Sequence, residues 1–420
     1  MKPVTVIIGA GPAASTMAAL LAQRGETAVV FDDGQRPELI VGESLIPAVV
    51  PLLRQLGIED RVAAISQHKP GVSFLHDLLP SIDFNFTPAA PYLPTYAYNV
   101  ERHSFDALLK QRALELGASF LPQRGHVHAT APGNAVEIEL DPVSIAACPQ
   151  LAGRQPAMLI DATGRTRLFS KLLNLSATSG PRDDLAYFAH YENFALPRPS
   201  GQVLISRLQK GWSWRIPLPQ EKLSVGLVIN KELAKSLGDT PEERLENSLA
   251  REPLLCAASA SARRISPVAV YRNYQRIGCR AAGPGWAAIG DAFGFVDPML
   301  SSGLFLAMES ASQLDQALTS NSRNRFANYE STMREWFHAW DNLVEYFYDG
   351  RLFSLYEAGF RMKLRRSNRI QMSLDRLLNK HIACMTAGAL TRALRSRALL
   401  KIATKTLLHG VHPPAHLAIR

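Results

Sequence analysis

The sequence predicts an α/β fold: a parallel-sheet domain interrupted by an inserted antiparallel β-sheet domain and followed by a helical C-terminal region. Three observations lead there. Residues 4–32 read as strand, glycine turn, helix and second strand closed by an acid. From Tyr187 to Asn230 the pattern changes to the alternation of half-buried antiparallel strands. From about Ala311 onward nearly everything reads helical.

The opening stretch carries the most detailed signal. Val4 to Ile8 is a β-branched run of the buried-strand kind. Gly9-Ala10-Gly11-Pro12-Ala13-Ala14 then turns into an alanine-rich helix. Gly9 permits the turn, Gly11 lets the backbone approach a pyrophosphate, and Ala14 is small enough for close helix–strand packing. The helix N-terminus offers N–H groups and a positive dipole end to phosphate. Thr27 to Phe31 reads as the second strand, and Asp32 follows it about 20 residues after the turn, where an acid takes ribose hydroxyls. Together these residues make a Rossmann-like dinucleotide-binding unit. The uncharged run Pro3 to Gln23 behind Lys2 also suits a signal peptide or membrane span. Gly, Pro, Ser and Thr interrupt it, however, and a β-type segment breaks its helical character.

Val41-Gly42-Glu43-Ser44-Leu45-Ile46-Pro47 is a polar turn into a helix, Pro47 to Leu56, stopped by Gly57. Lys69-Pro70-Gly71-Val72-Ser73-Phe74 leads into a proline-rich aromatic stretch through Tyr98, and a strong helix ends near Gly117. Ala135 to Leu140 is β-like, and Met158 to Asp161 is a buried strand ending in an acid and the turn Ala162-Thr163-Gly164-Arg165. Val203 to Leu208, Trp212 to Ile216 and Leu223 to Ile229 are strands joined by hairpin turns. Trp212, Trp214 and Ile216 then share one face. Ala287 to Asp291 is a last buried strand with its acid, followed by Asp297-Pro298-Met299-Leu300-Ser301-Ser302-Gly303 and a helix. The expected domains are 1–70, 96–185 and 265–330 for the dinucleotide unit, 71–95 and 186–264 for the sheet, and 331–420 for the helical basic region.

The 420 residues are 47% hydrophobic and 20% charged, as in an ordinary globular protein. Cys148, Cys256, Cys279 and Cys384 are far apart and form no CxxC, which favours a reducing, cytoplasmic setting without a disulfide frame or zinc site. His126, His128, His381, His409, His412 and His416 have no carboxylate or cysteine at ligand spacing, so no metal is expected. The net charge of +9 is concentrated: from Arg351 onward 14 Lys and Arg face only Glu357 and Asp375. Such a tail suits an acidic partner and leaves contact with an anionic membrane surface open; no nucleic acid is expected. The plain alternative is a solvated basic helical face.

GAGPAA with Asp32, then Asp161 to Arg165, then Gly290-Asp291, in that order, resemble the FAD-binding fold of the aromatic-ring monooxygenases. The resemblance implies that Gly9, Gly11, Ala13 and Ala14 take the pyrophosphate and Asp32 a ribose. It puts Asp161 and Gly164 at the middle turn, Asp291 after Gly290 on a ribityl hydroxyl, and Arg102, in its Arg-x-x-Phe-Asp context, near the FAD. The helix from Ser302-Gly303 would point its N-terminus at the flavin pyrimidine edge, where reduced flavin carries negative charge.

A closer likeness is to the flavin-dependent halogenases and halogenase-like hydroxylases. Gly42-Glu43-Ser44 with Pro47 matches their second motif, Trp212-Ser213-Trp214-Arg215-Ile216-Pro217 their WxWxIP, and Asp297-Pro298 with Ser301-Ser302-Gly303 their segment beside the isoalloxazine. Lys69 to Phe74 resembles the KxGxxF that carries the halogenases' catalytic lysine. Halogenases often continue past that phenylalanine with Trp-Gly, whereas Leu75-His76-Asp77 follows here. The likeness covers roughly residues 1 to 330.

It implies an FAD-dependent monooxygenase that hydroxylates an electron-rich ring of indole, phenol or pyrrole type, using O2 through a flavin C4a-hydroperoxide. A halogenase using Lys69 is the alternative, and an isoprenoid-reductase-like flavoprotein a further one. Lys69, Trp212 and Trp214 are the catalytic candidates, and Glu43, Ser44 and Pro298 join the FAD-binding set. The plain readings are a solvent-exposed loop lysine for Lys69 and core packing for the tryptophans. No second GxGxxG follows a strand, so either NAD(P)H docks transiently or a flavin reductase delivers electrons. The basic tail suits a ring presented on an acidic peptide or carrier protein, as in the monooxygenase that hydroxylates a peptidyl tryptophan during tryptophylquinone biogenesis.

Overall fold

The computed structural model describes residues 2–77, 81–86, 92–130, 137–198, 200–208, 210–273, 275–364, 380–389, 394–407 and 418–419. Val4–Ile8 lies inside a six-stranded sheet, and all five of its residues are buried, which is why the run reads as continuously apolar. The strand order is Ala282–Gly283, Trp286–Ala288, Met158–Asp161, Val4–Ile8, Thr27–Phe31, Ser119–Leu121. Every pair is parallel except the first. Ile7 and Val30 face the helices Pro12–Gln23, Arg102–Glu115 and Ser302–Thr319 through one apolar core. Val6, Ile8, Val29 and Phe31 face Phe169 and Trp286 on the other side. Gly9, Asp32 and Asp161 therefore emerge together at the carboxyl edge of the sheet, where ligands of such sheets bind.

The inserted sheet has eight strands, and its central hairpins are the predicted ones. Trp212–Pro217 pairs antiparallel with Val203–Arg207 on one side and with Leu223–Asn230 on the other. Gly71–Leu75 joins parallel to Val203–Arg207 and carries Ile82–Asn85 beyond it. The sheet runs further than the boundary drawn at 264, because Ala269–Asn273 pairs with the first half of Asp184–Glu192. Pairing between distant strands, invisible in local pattern, sets that limit.

The helix read from Pro47 opens as a tight turn, Pro47–Val49, and becomes α-helical only over Val50–Leu56. Gly57 ends it in the left-handed conformation. Ser302–Thr319 begins where the sequence placed its start, and Arg325–Tyr348, Arg351–Leu364, residues 380–386 and Leu394–Leu407 follow. Of the basic residues from Arg351 onward, Arg365, Arg366, Arg369, Arg376, Arg392 and Arg420 lie outside the described residues, as do His409, His412 and His416. Among the described residues no helix is long and apolar enough to cross a membrane.

Candidate active site

The carboxyl edge of the parallel sheet and the inner face of the eight-stranded sheet bound a cavity of about 630 Å³, a size usual for cofactor sites. Gly9, Gly11, Ala13, Asp32, Glu43, Ser44, Arg102, Gly164, Gly290, Asp291, Pro298, Gly303, Trp212 and Trp214 all line it. Ala14 and Ser302 are buried behind the wall.

At the turn, Gly9 has φ +98°, and a Cβ there would stand 2.6 Å from the Ala162 carbonyl oxygen. Only glycine fits. Gly11 differs: its φ of −74° suits any residue, and no atom lies within 4 Å of where its Cβ would be. Its open side faces the cavity at the start of Pro12–Gln23, a helix with no side-chain cap on its first N–H groups. Uncapped N–H groups and a positive dipole end form an anion cradle, and this one fits the FAD pyrophosphate.

Asp32 accepts hydrogen bonds from Lys110 Nζ (2.7 Å) and from the Gly34 N–H (3.1 Å), with Arg36 3.7 Å away. Burial works against its carboxylate, but these hydrogen bonds and the Arg36 and Lys110 charges outweigh it and hold the pKa below the ordinary value. An ionised Asp32 suits ribose hydroxyls. Arg36 also donates to the Ala10 carbonyl at 2.7 Å, and Arg165 stacks over the Tyr271 ring at 4.3 Å. The sequence reading did not select Arg36, Arg165 or Tyr271, all of which line the cavity. Arg165 adjoins the recognised Gly164 turn, whereas Tyr271 sits on a strand without a motif.

Asp161 corrects the sequence reading. It is fully buried outside the lining, and its carboxylate accepts from the Thr163 N–H (2.9 Å), the Thr163 hydroxyl (2.6 Å) and the Phe169 N–H (2.8 Å). It shapes the turn that presents Gly164; its own oxygens are committed to protein.

At the other end of the cavity, burial pushes the Asp291 pKa up to about 6, against the opposing charges of Arg165 and Arg102. The site therefore protonates as pH falls through about 6, whereas the ordinary value is 3.8. A ribityl hydroxyl donates best to the ionised form, so FAD affinity is expected to tighten as pH rises through that value. Asp291→Ala should remove the pH step and weaken FAD about 10- to 100-fold, the effect of roughly 1–3 kcal/mol for one buried hydrogen-bond partner. Fluorescence titration with FAD reads both, and an unchanged Kd would remove Asp291 from the site.

The neighbouring turn holds Leu300 at φ 66° and Ser301 at φ 59°, left-handed conformations that cost roughly 1–2 kcal/mol for a residue with a Cβ. Asp297 accepts the Met299 N–H at 2.9 Å and lies 3.2 Å from the Tyr348 hydroxyl, which also accepts the Trp212 indole N–H at 2.9 Å. Trp214 donates to Ser224 at 3.2 Å. Both indole N–H groups are thus committed to protein, and the rings act as cavity wall between the sheet and the turn. These are the two catalytic candidates of the sequence, and what the structure gives them is a place in the cavity wall.

Lys69 is 2% exposed, not a solvent lysine. Gln67–Lys69 pairs antiparallel with Ala97–Asn99, and Asn99 bridges to Ser44, which delivers Lys69 to the back of the cavity wall. Its Nζ donates to Ser44 Oγ (2.7 Å) and the Leu45 carbonyl (2.8 Å) and lies 5.4 Å from the centre of the Phe86 ring. Burial alone brings its pKa down to about 7. Beside it, Glu43 Oε1 is 2.7 Å from Nε2 of buried His190, a pair 147 residues apart in sequence that no local signal announces.

The tryptophan halogenase family model matches residues 4–90 and 87–381. The chain is 28% identical over 377 residues to the 1H-pyrrole-2-carbonyl-peptidyl-carrier-protein chlorinase of Pseudomonas fluorescens, covering 82% of this chain and 83% of that one. It is 29% identical over 327 residues to the tryptophan 2-halogenase of Chondromyces crocatus, covering 73% and 59%. The solved flavin-dependent brominase Bmp2 shares its fold with a TM-score of 0.78 at 22% identity, over 98% of this chain and 100% of that one. With the family model matching most of its length, the chain belongs to the tryptophan halogenase family of flavin-dependent enzymes.

Proposed function

We propose that the protein is an FAD-dependent halogenase acting on an electron-rich ring of pyrrole type held on a carrier protein. The observation that carries this reading is Lys69, buried and fixed against Ser44 of the cavity wall. A lysine is costly to bury unless its ammonium is needed, and one with a pKa near 7 exchanges a proton readily at neutral pH.

When bound, FAD supplies the oxygen-activating redox chemistry. The cradle at Gly11, Asp32 and Asp291 would hold it, and the N-terminus of Ser302–Thr319 would favour negative charge at its pyrimidine edge. Lys69 Nζ would donate a hydrogen bond to the oxygen of hypohalous acid, drawing electrons from the halogen. The ring carbon then takes the halogen and loses its proton, and the oxygen leaves as water. Leu300 lines both the main cavity and a small apolar one of about 10 Å³ among Phe74, Met299, Leu343, Tyr346 and Thr386. A ring would enter there only as the surrounding helices part.

The carrier-bound substrate is supported by the similarity over most of both chains to a pyrrole-carrier chlorinase and by the basic C-terminal sequence. Electrons would come from a flavin reductase, or from NAD(P)H docking transiently. Hydroxylation, ranked first on sequence, becomes the second reading. It is favoured by Leu75-His76-Asp77 in place of Trp-Gly, where His76 is buried and pairs with Asp77 at 3.0 Å. The test is product identity: mass spectrometry of pyrrolyl-carrier turned over with reduced FAD, O2 and bromide, with halogenated carrier expected.

A further inference from the structure

The alternation that puts Trp212, Trp214 and Ile216 on the cavity side puts Ser213 and Arg215 on the opposite face of the sheet. Arg215 is 1% exposed. Its cross-strand neighbours are apolar, Leu204 on one side and Val225 on the other. One guanidinium nitrogen, Nη2, donates to Ser206 Oγ at 2.8 Å. Among the described residues its Nε has no hydrogen-bond partner, and neither has the buried Ser213 Oγ, directly across the sheet from Ser206. Among the described residues no carboxylate pairs with Arg215; Asp83, three strands away in the same row, accepts from Ser73 at 2.6 Å and lies 3.4 Å from Arg198. Burial alone lowers the Arg215 pKa, to about 10, so it is charged at neutral pH.

A buried cation without a counter-charge is unfavourable, and the donors left over here all point to an anion. We propose that Arg215, Ser206 and Ser213 form a binding site for a small monovalent anion of halide type on the outer face of the sheet. Guanidinium N–H and two hydroxyls are donors a halide accepts without a carboxylate's shape or a phosphate's double charge. The site faces away from the cofactor cavity, so its ion is structural and separate from any halide consumed in a reaction. It braces the strand that carries Trp212 and Trp214.

The test is thermal unfolding of the full-length protein in sodium chloride, sodium bromide and sodium gluconate at equal ionic strength, gluconate being too large for the site. A ligand that binds only the folded state raises Tm with its concentration, so chloride and bromide should raise it saturably over gluconate, on the order of 2 °C. Arg215→Gln should abolish the difference. Crystals soaked in bromide should show an anomalous peak between Arg215 and Ser213. Identical melting of the wild type in all three salts overturns the proposal, as does a halide effect that survives Arg215→Gln. Should Arg215→Gln not fold, the wild-type salt comparison and the bromide peak decide the matter alone.

Discussion

Lys69→Met is expected to abolish ring halogenation while FAD stays bound. Methionine matches the length of the lysine stem, so the packing against Phe86 survives and only the ammonium is removed. Lys69 does not line the cavity, so the cofactor loses no contact. The substitution leaves the Leu45 carbonyl without that donor, a cost of roughly 1–3 kcal/mol that the fold should survive. The chemistry is a different matter, because a single positioned donor or acid commonly carries 10²–10⁴-fold in rate. Halogenated product should fall at least about 100-fold, with the flavin absorption spectrum and FAD Kd near wild type. Retention of the wild-type rate would show that Lys69 is a packing residue.

Gly11→Val is the second large effect, and it acts on the cofactor alone. The φ of −74° at Gly11 is ordinary for valine, and no protein atom would meet the new Cβ. The fold should therefore survive with a change of a few tenths to about 1 kcal/mol at the helix N-terminus. The branched side chain would occupy the cradle where the pyrophosphate approaches the backbone. The variant is expected to purify colourless, with its circular dichroism and Tm close to those of the cofactor-free wild type. A yellow preparation with full FAD occupancy would place the pyrophosphate elsewhere.

Much of this site could be read from local sequence because local sequence makes it. The Gly9–Gly11 turn, the acid at Asp32, the start of the helix near Ser302 and the shared face of Trp212, Trp214 and Ile216 each follow from a few neighbouring residues. Burial and partnership were not legible in the same way. Lys69 reads as a loop lysine until Ala97–Asn99 pairs with its strand and brings it to Ser44. Asp161 has the position of a ligand-binding acid, yet Thr163 in the turn after it and Phe169 in the next helix supply three hydrogen-bond donors that claim its oxygens. His190 meets Glu43 only because the inserted sheet folds over the dinucleotide unit. Arg215 carries a charge into the core from a position in the WxWxIP pattern that the pattern leaves unspecified.

The most direct measurement is the mass of the carrier-bound ring after turnover by wild-type protein with reduced FAD, bromide and ¹⁸O-labelled O2. The expected result is the bromine isotope doublet on the ring with no ¹⁸O in the product, the doublet disappearing with Lys69→Met. A product carrying ¹⁸O and no bromine, formed equally well by Lys69→Met, would contradict the halogenase reading and establish hydroxylation.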